Sequence, residues 1–149
     1  MIKIYNDIIP FPGFMMMNIN GLLFIRSEYK GKISDSSLNH EAIHSRQQWE
    51  MLFLTFIIVC IIQLYLGQII WWLLTIVPIL SFYILYLLFW LIQTILPPWD
   101  TAYYDICFEV ETYSNEKNLS YLKKRKPFSW VKYIFTNFKV LKKKENNLI

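Results

Sequence analysis

Two short apolar stretches, residues 13–19 and 22–26, are split by Asn20-Gly21, a pair whose backbones accept the positive φ angles of a type I′ turn. This pattern predicts a β-hairpin within the N-terminal region 1–34; in the competing reading, Met15, Met16 and Met17 lie along a membrane surface. From residue 35 the pattern changes. Asp35, Ser36 and Ser37 supply N-cap side chains, so a helix is expected to start there. It should run unbroken into residues 51–99, which are 49 positions without Asp, Glu, Lys or Arg. A bilayer core about 30 Å thick takes ~20 helical residues, so this run fits two spans better than one. We place a turn at Gly67-Gln68, the membrane part of the first helix at 51–66 and the second helix at 69–96. Pro78 should kink that helix and Pro97-Pro98 end it. A buried hairpin of a soluble protein is the alternative, but so short a chain has little else to cover so many apolar side chains.

Beyond the prolines, Asp100 can cap a helix through residue 115 that carries Asp105, Glu109 and Glu111. The stretch 128–141 places Phe128, Val131, Ile134, Phe135, Phe138 and Leu141 at helical spacing, with Lys132 and Lys139 elsewhere. It should form an amphipathic helix, lying on the membrane beside Lys142, Lys143 and Lys144 or packing against the region that carries the site. The expected fold is therefore mainly α. It is a single domain, 1–149, in which a transmembrane helical hairpin carries a small cytoplasmic portion.

Composition sharpens this picture. A chain that is 55% hydrophobic and 18% aromatic, with mean hydropathy +0.31, is unlike an ordinary soluble domain. Residues 1–12 contain Asp7 and Pro10 and no long apolar stretch, so insertion is expected to use the internal hairpin. Of fifteen basic residues, Lys3, Arg26, Lys30, Lys32 and Arg46 precede the apolar run and ten follow it. Two spans return the chain to its starting side, and the basic flanks place both termini in the cytoplasm. Cys60 and Cys107 suggest no disulfide framework, which suits a reducing compartment. The net charge of +4 comes mostly from the Lys-rich tail and points to anionic membrane lipid rather than nucleic acid. Gln63, Gln68 and Gln93 can hydrogen-bond between helices, within the hairpin or between copies in a homo-oligomer.

Both histidines of the chain fall in one pentapeptide, His40-Glu41-Ala42-Ile43-His44, which has the H-E-x-x-H spacing. On a helix, positions i and i+4 share a face, so one nitrogen from each imidazole can reach a single zinc ion. Glu41 projects beside them and can take a proton from a water that the ion has acidified, which is the chemistry of amide hydrolysis. His44 precedes the apolar run by seven residues, which sets the ion about 10 Å from the hydrocarbon boundary. Gln47 and Gln48 follow on the same face and can hydrogen-bond the ligands. A catalytic zinc needs a third protein ligand, and with no third histidine a carboxylate is the best choice. The competing reading makes Glu109, Glu111 and Glu116 a solvated helix face balancing Lys117 and Lys123 to Lys126.

The segment Phe108-Glu109-Val110-Glu111-Thr112-Tyr113 resembles the Phe-Glu-x-x-Ala-Asp pattern of membrane zinc peptidases of the CAAX prenyl protease type, which are gluzincins. The resemblance implies that Glu109 is the third zinc ligand, although Thr112 and Tyr113 depart from the pattern and Glu111 competes. Residues 39–48, 108–116 and 121–130 also resemble a group of short membrane proteins, chiefly of Bacteroidetes, which implies a bacterial inner membrane. The expected function is a metallopeptidase cleaving protein or peptide substrates near the cytoplasmic face, with His40, His44 and Glu109 on zinc and Glu41 as the base. Tyr113, Tyr121 and Arg125 are candidate oxyanion donors, and the strand at 22–26 is a candidate edge for an extended substrate. The rival expectation is a non-catalytic membrane adaptor whose metal site is structural, closed by four protein ligands with Glu111 as the fourth. A metal-free lipid-binding protein is a third.

Overall fold

In the computed structural model of the chain, residues 1–95 and 102–136 are described. Three short strands come first: β1 (Ile2–Asn6), β2 (Met16–Ile19) and β3 (Leu22–Arg26). Asn20 and Gly21 adopt φ of 48° and 90°, and Ile19 pairs with Leu22 across them, so β2 and β3 form the expected hairpin. β1 is not foreseen by the pattern. It pairs in parallel with β3, and a parallel partner brought in by a long connection leaves no local turn signal. The sheet order is β1-β3-β2, so β3 is central, with Leu23 and Ile25 fully buried. The expectation that residues 22–26 form an open edge is thereby corrected: β1 occupies that edge, and β2 is the edge strand on the other side.

The first helix, α1 (Asp35–Leu66), is 32 residues long. Its N-cap is Ser34, one residue before the expected position, with Oγ accepting from the Ser37 amide at 3.1 Å. Asp35 then occupies the first turn, where its carboxylate faces the positive end of the helix dipole. Gly67 ends the helix in the left-handed conformation, φ 63°, with its amide on the Leu64 carbonyl and that of Gln68 on Gln63. Gln63 is buried and bonds both the amide and the carbonyl of Ile70, at 2.9 and 3.1 Å, which spends its side chain inside the hairpin turn.

The second helix, α2 (Trp71–Ile95), contains Pro78 and packs back along α1. Both helices are long and apolar enough to cross a membrane, and only 11% of the most apolar window of each is buried. A core helix of a soluble protein would be mostly covered. Here Phe53, Ile57, Ile61, Leu64, Ile84 and Leu88 are all at least half exposed.

After the hairpin, α3 (Cys107–Asn115) packs on α1, followed by the single turn α4 (Tyr121–Lys124). Phe108 anchors α3, its ring 4.7 Å from Phe82 of α2 and 4.8 Å from Trp130. The amphipathic α-helix expected from residue 128 does not form over the described part. Pro127 biases its predecessor to an extended backbone, Phe128 is left-handed at φ 57°, and Ser129–Tyr133 is a 3-10 helix. The new phase buries Trp130 and leaves Val131 and Phe135 of the expected stripe exposed, while Phe128 and Ile134 still pack against the core. Pro97-Pro98, Asp100 and everything from residue 137 onward, including Phe138, Lys139, Leu141 and Lys142 to Lys144, lie outside the described residues.

Candidate metal centre

Side chains just ahead of and within the H-E-x-x-H turn bind it to its surroundings. Asn39 Nδ2 donates to the carbonyls of Asn115, Glu116 and Asn118 at 3.3, 2.9 and 3.1 Å, which clamps the end of α3 to α1. From the other side, Asn18 of β2 donates to the Glu41 carbonyl at 2.6 Å, and Gln48 donates to the Asn18 carbonyl at 2.9 Å. Helix α3 is thus held with its first turn against His40 and His44.

Three side chains then converge. The two histidine Nε2 atoms are 3.1 Å apart, and Glu109 places Oε1 3.2 Å from His44 Nε2 and Oε2 3.5 Å from His40 Nε2. Donors about 2.05 Å from a tetrahedral ion lie about 3.3 Å from one another, so these spacings suit one cation shared by three ligands. Among the described residues, His40, His44 and Glu109 are the group whose ligand atoms could hold a metal ion.

The tautomers agree with that geometry. Gln47 Nε2 donates to the Phe108 carbonyl at 3.1 Å and to Glu111 Oε2 at 2.9 Å, so the amide presents Oε1 to His44 Nδ1, 2.8 Å away. His44 must therefore carry a proton on Nδ1 and can turn the lone pair of Nε2 inward. His40 Nδ1 likewise faces Glu116 Oε2 at 3.0 Å. Both inner nitrogens are left free of other partners to serve as ligands, and buried Glu109 Oε2, on the His40 side, has no hydrogen-bond donor.

Electrostatics reinforce the arrangement. Burial alone would raise the Glu109 carboxyl, but the imidazoles of His44 and His40 outweigh it and hold Glu109 well below the usual carboxylate range. Burial would likewise strip a proton from His44, yet the Glu109 carboxylate pushes its pKa up to about 9. A divalent cation on the same atoms would displace that proton. Glu41 is raised above its ordinary value, chiefly by burial, with the two imidazoles acting in the opposite direction.

The remaining acids and donors separate cleanly. Glu111 is fully buried but turns away from the histidines: Tyr121 Oη donates to it at 2.7 Å and Arg125 Nε at 2.7 Å, with Arg125 Nη2 at 3.1 Å. Arg125 also grips both oxygens of Glu50. Glu111 is thus the centre of a buried ion network. Tyr121 and Arg125, both proposed as oxyanion donors, are committed to it. Tyr113 lies at the site instead, its ring 4.8 Å from that of His40, lining a cavity of about 200 Å³ with Met15, Met16, His40 and Glu41. With Glu109 and Glu111 buried, the solvated-face reading fails for both.

Sequence reasoning missed Tyr86 of α2, which donates to Glu109 Oε1 at 2.8 Å. A polar side chain inside a charge-free run is costly and marks a functional position, which was the available signal. It also gave Glu116 no part beside His40, although Glu116 lies seven residues from Glu109 and so on the same helical face.

No family model, curated protein or solved structure matches this chain.

Proposed function

We propose that the chain is a zinc-dependent metallopeptidase embedded in a bacterial inner membrane, with both termini and the metal site on the cytoplasmic side. The observation that carries this reading is the pair of oriented histidines: Gln47 and Glu116 hold the outer nitrogens, so both inner ones meet the buried Glu109 carboxylate. Zinc bound there would supply Lewis-acid polarisation of a scissile carbonyl and an acidified water. Glu41, lining the adjacent cavity, takes the water proton on its carboxylate and returns it to the leaving amine. Tyr113, which lines the same cavity, would be the donor to the carbonyl oxygen.

Substrate binding falls to β2. In a two-residue hairpin with this register, Met16 and Asn18 turn their backbone groups away from β3. Gln48 takes the Asn18 carbonyl, whereas Met16 faces the cavity beside His40 and Glu41. An extended peptide adding to this edge lies across the three ligands. Because α1 continues from the site into the charge-free run, membrane proteins and lipid-near peptides are the fitting substrates.

The adaptor reading requires a closed site, and its fourth ligand was to be Glu111. That carboxylate is bound to Arg125, which favours three protein ligands and an open position. The test is proteolysis of co-expressed membrane substrates with wild type and Glu41→Gln. Substitution is expected to cut cleavage on the order of 10²–10⁴-fold with zinc retained. Full zinc and unchanged cleavage would reject Glu41 as the base.

A further inference from the structure

The face of α1 opposite the metal ligands carries a second polar recess. Ser45, Arg46 and Trp49 line a cavity of about 310 Å³ with Ala42, Met1 and Leu122. A side chain at Gly21 would come within 3.5 Å of Ser45 Oγ and 3.6 Å of Trp49 Nε1, so the hydroxyl and the indole N–H border the same spot. Glycine there, at φ 90°, serves the hairpin turn.

The recess is rich in donors. Arg46 is exposed and has no hydrogen-bond or ion partner among the described residues. On a helix its natural carboxylate is Glu50, one turn on, but Arg125 holds both oxygens of Glu50. A guanidinium, a hydroxyl and an indole N–H therefore share a cavity whose lining contains no carboxylate. Such a set matches the oxygens of a phosphate.

Position selects the source of that phosphate. Trp49 stacks on Phe53 at 5.7 Å, and Phe53, Phe56 and Ile57 continue the same exposed face into the charge-free run. The recess thus sits directly above an apolar strip, with a tryptophan at the boundary where such residues anchor to headgroups. We infer that Arg46, Ser45 and Trp49 bind the phosphate of an anionic phospholipid, whose acyl chains run along Phe53 and Ile57. This rests on the membrane reading above but not on peptidase activity.

The experiment uses the full chain in a neutral detergent, with native mass spectrometry counting retained phosphatidylglycerol or phosphatidylcholine. Wild type should retain phosphatidylglycerol in preference. Arg46→Gln should weaken that binding about tenfold, as loss of a charged hydrogen-bonding group does, and Ser45→Ala should weaken it in the same direction. Lys32→Gln, exposed and away from the recess, should leave it unchanged, and all variants should keep wild-type melting temperature. Equal phosphatidylglycerol binding by wild type and Arg46→Gln overturns the proposal, and so does equal loss in Lys32→Gln. Displacement of the lipid by millimolar inorganic phosphate would assign the recess to a soluble anion instead. Alkaline extraction of native membranes separates the two levels: release of the chain sinks the membrane reading as well, whereas retention without lipid preference sinks the lipid site alone.

Discussion

A buried carboxylate oxygen without a donor costs about 1–3 kcal/mol, and Glu109 Oε2 occupies that position 3.5 Å from His40 Nε2, while Oε1 faces His44 Nε2. A cation shared with His40 and His44 resolves the cost, which is the physical reason to read the cluster as a metal site rather than as a structural ion pair. Removing Glu116 should loosen His40 without removing a ligand, so Glu116→Gln is expected to weaken zinc binding about 10–100-fold, measured by chelator competition. The metal-free protein should also betray the His44–Glu109 pair through pH. The pKa of His44 is raised above 6.5, so its contribution to stability is whole below that pH and lost as pH climbs through about 9. Glu109 is lowered, so on the acid side the contribution holds above 4.5 and fades as pH falls through its depressed range. Melting of the metal-free chain should therefore decline between pH 6.5 and 9, and bound zinc should shrink that decline because the histidine proton has already left. A metal-free chain indifferent to pH over that interval contradicts the pairing.

Elements decide how these residues meet. H-E-x-x-H on one helix face was legible because a five-residue spacing fixes the geometry whatever the rest of the chain does. The choice of Glu109 over Glu111 was not, since it depends on the roll of α3 about its axis, set by Phe108 packing between Phe82 and Trp130. Nor was the partner of Glu111, because Arg125 closes the single turn α4, and how that turn sits against α3 depends on the short connection between them rather than on any periodicity. Only β1 among the strands was invisible, its five residues having no turn to mark their pairing. The Glu111–Arg125–Glu50 network joins α3 to α1, with Glu111 fully buried, the Arg125 side chain nearly so and Glu50 partly exposed. Arg125→Ala should cost about 3–5 kcal/mol in stability by stranding two acids, seen as a lower melting temperature. Gln47→Leu should spare most of that stability while releasing His44 Nδ1, so zinc affinity falls more than melting temperature does. Equal zinc affinity in Gln47→Leu and wild type would remove Gln47 from the account.

At the scale of the molecule, the hairpin brings α3 back to the end of α1 from which the chain departed. It also contributes Tyr86, so Glu109 is steadied from within the apolar pair itself. That return was readable from an even number of charge-free spans, whereas the contact between α2 and the ligand depended on side-chain packing that periodicity does not report. Site and hairpin therefore form one unit, and Tyr86→Phe should lower zinc affinity although it lies 42 residues from His44 in sequence. The measurement that bears most directly on the whole account is elemental analysis of the full chain purified without chelator, compared across wild type, Glu109→Gln and Glu111→Gln. We predict roughly one zinc per chain in wild type, near-complete loss in Glu109→Gln and retention in whatever fraction of Glu111→Gln folds. Wild type without zinc, or full occupancy in Glu109→Gln, would contradict it.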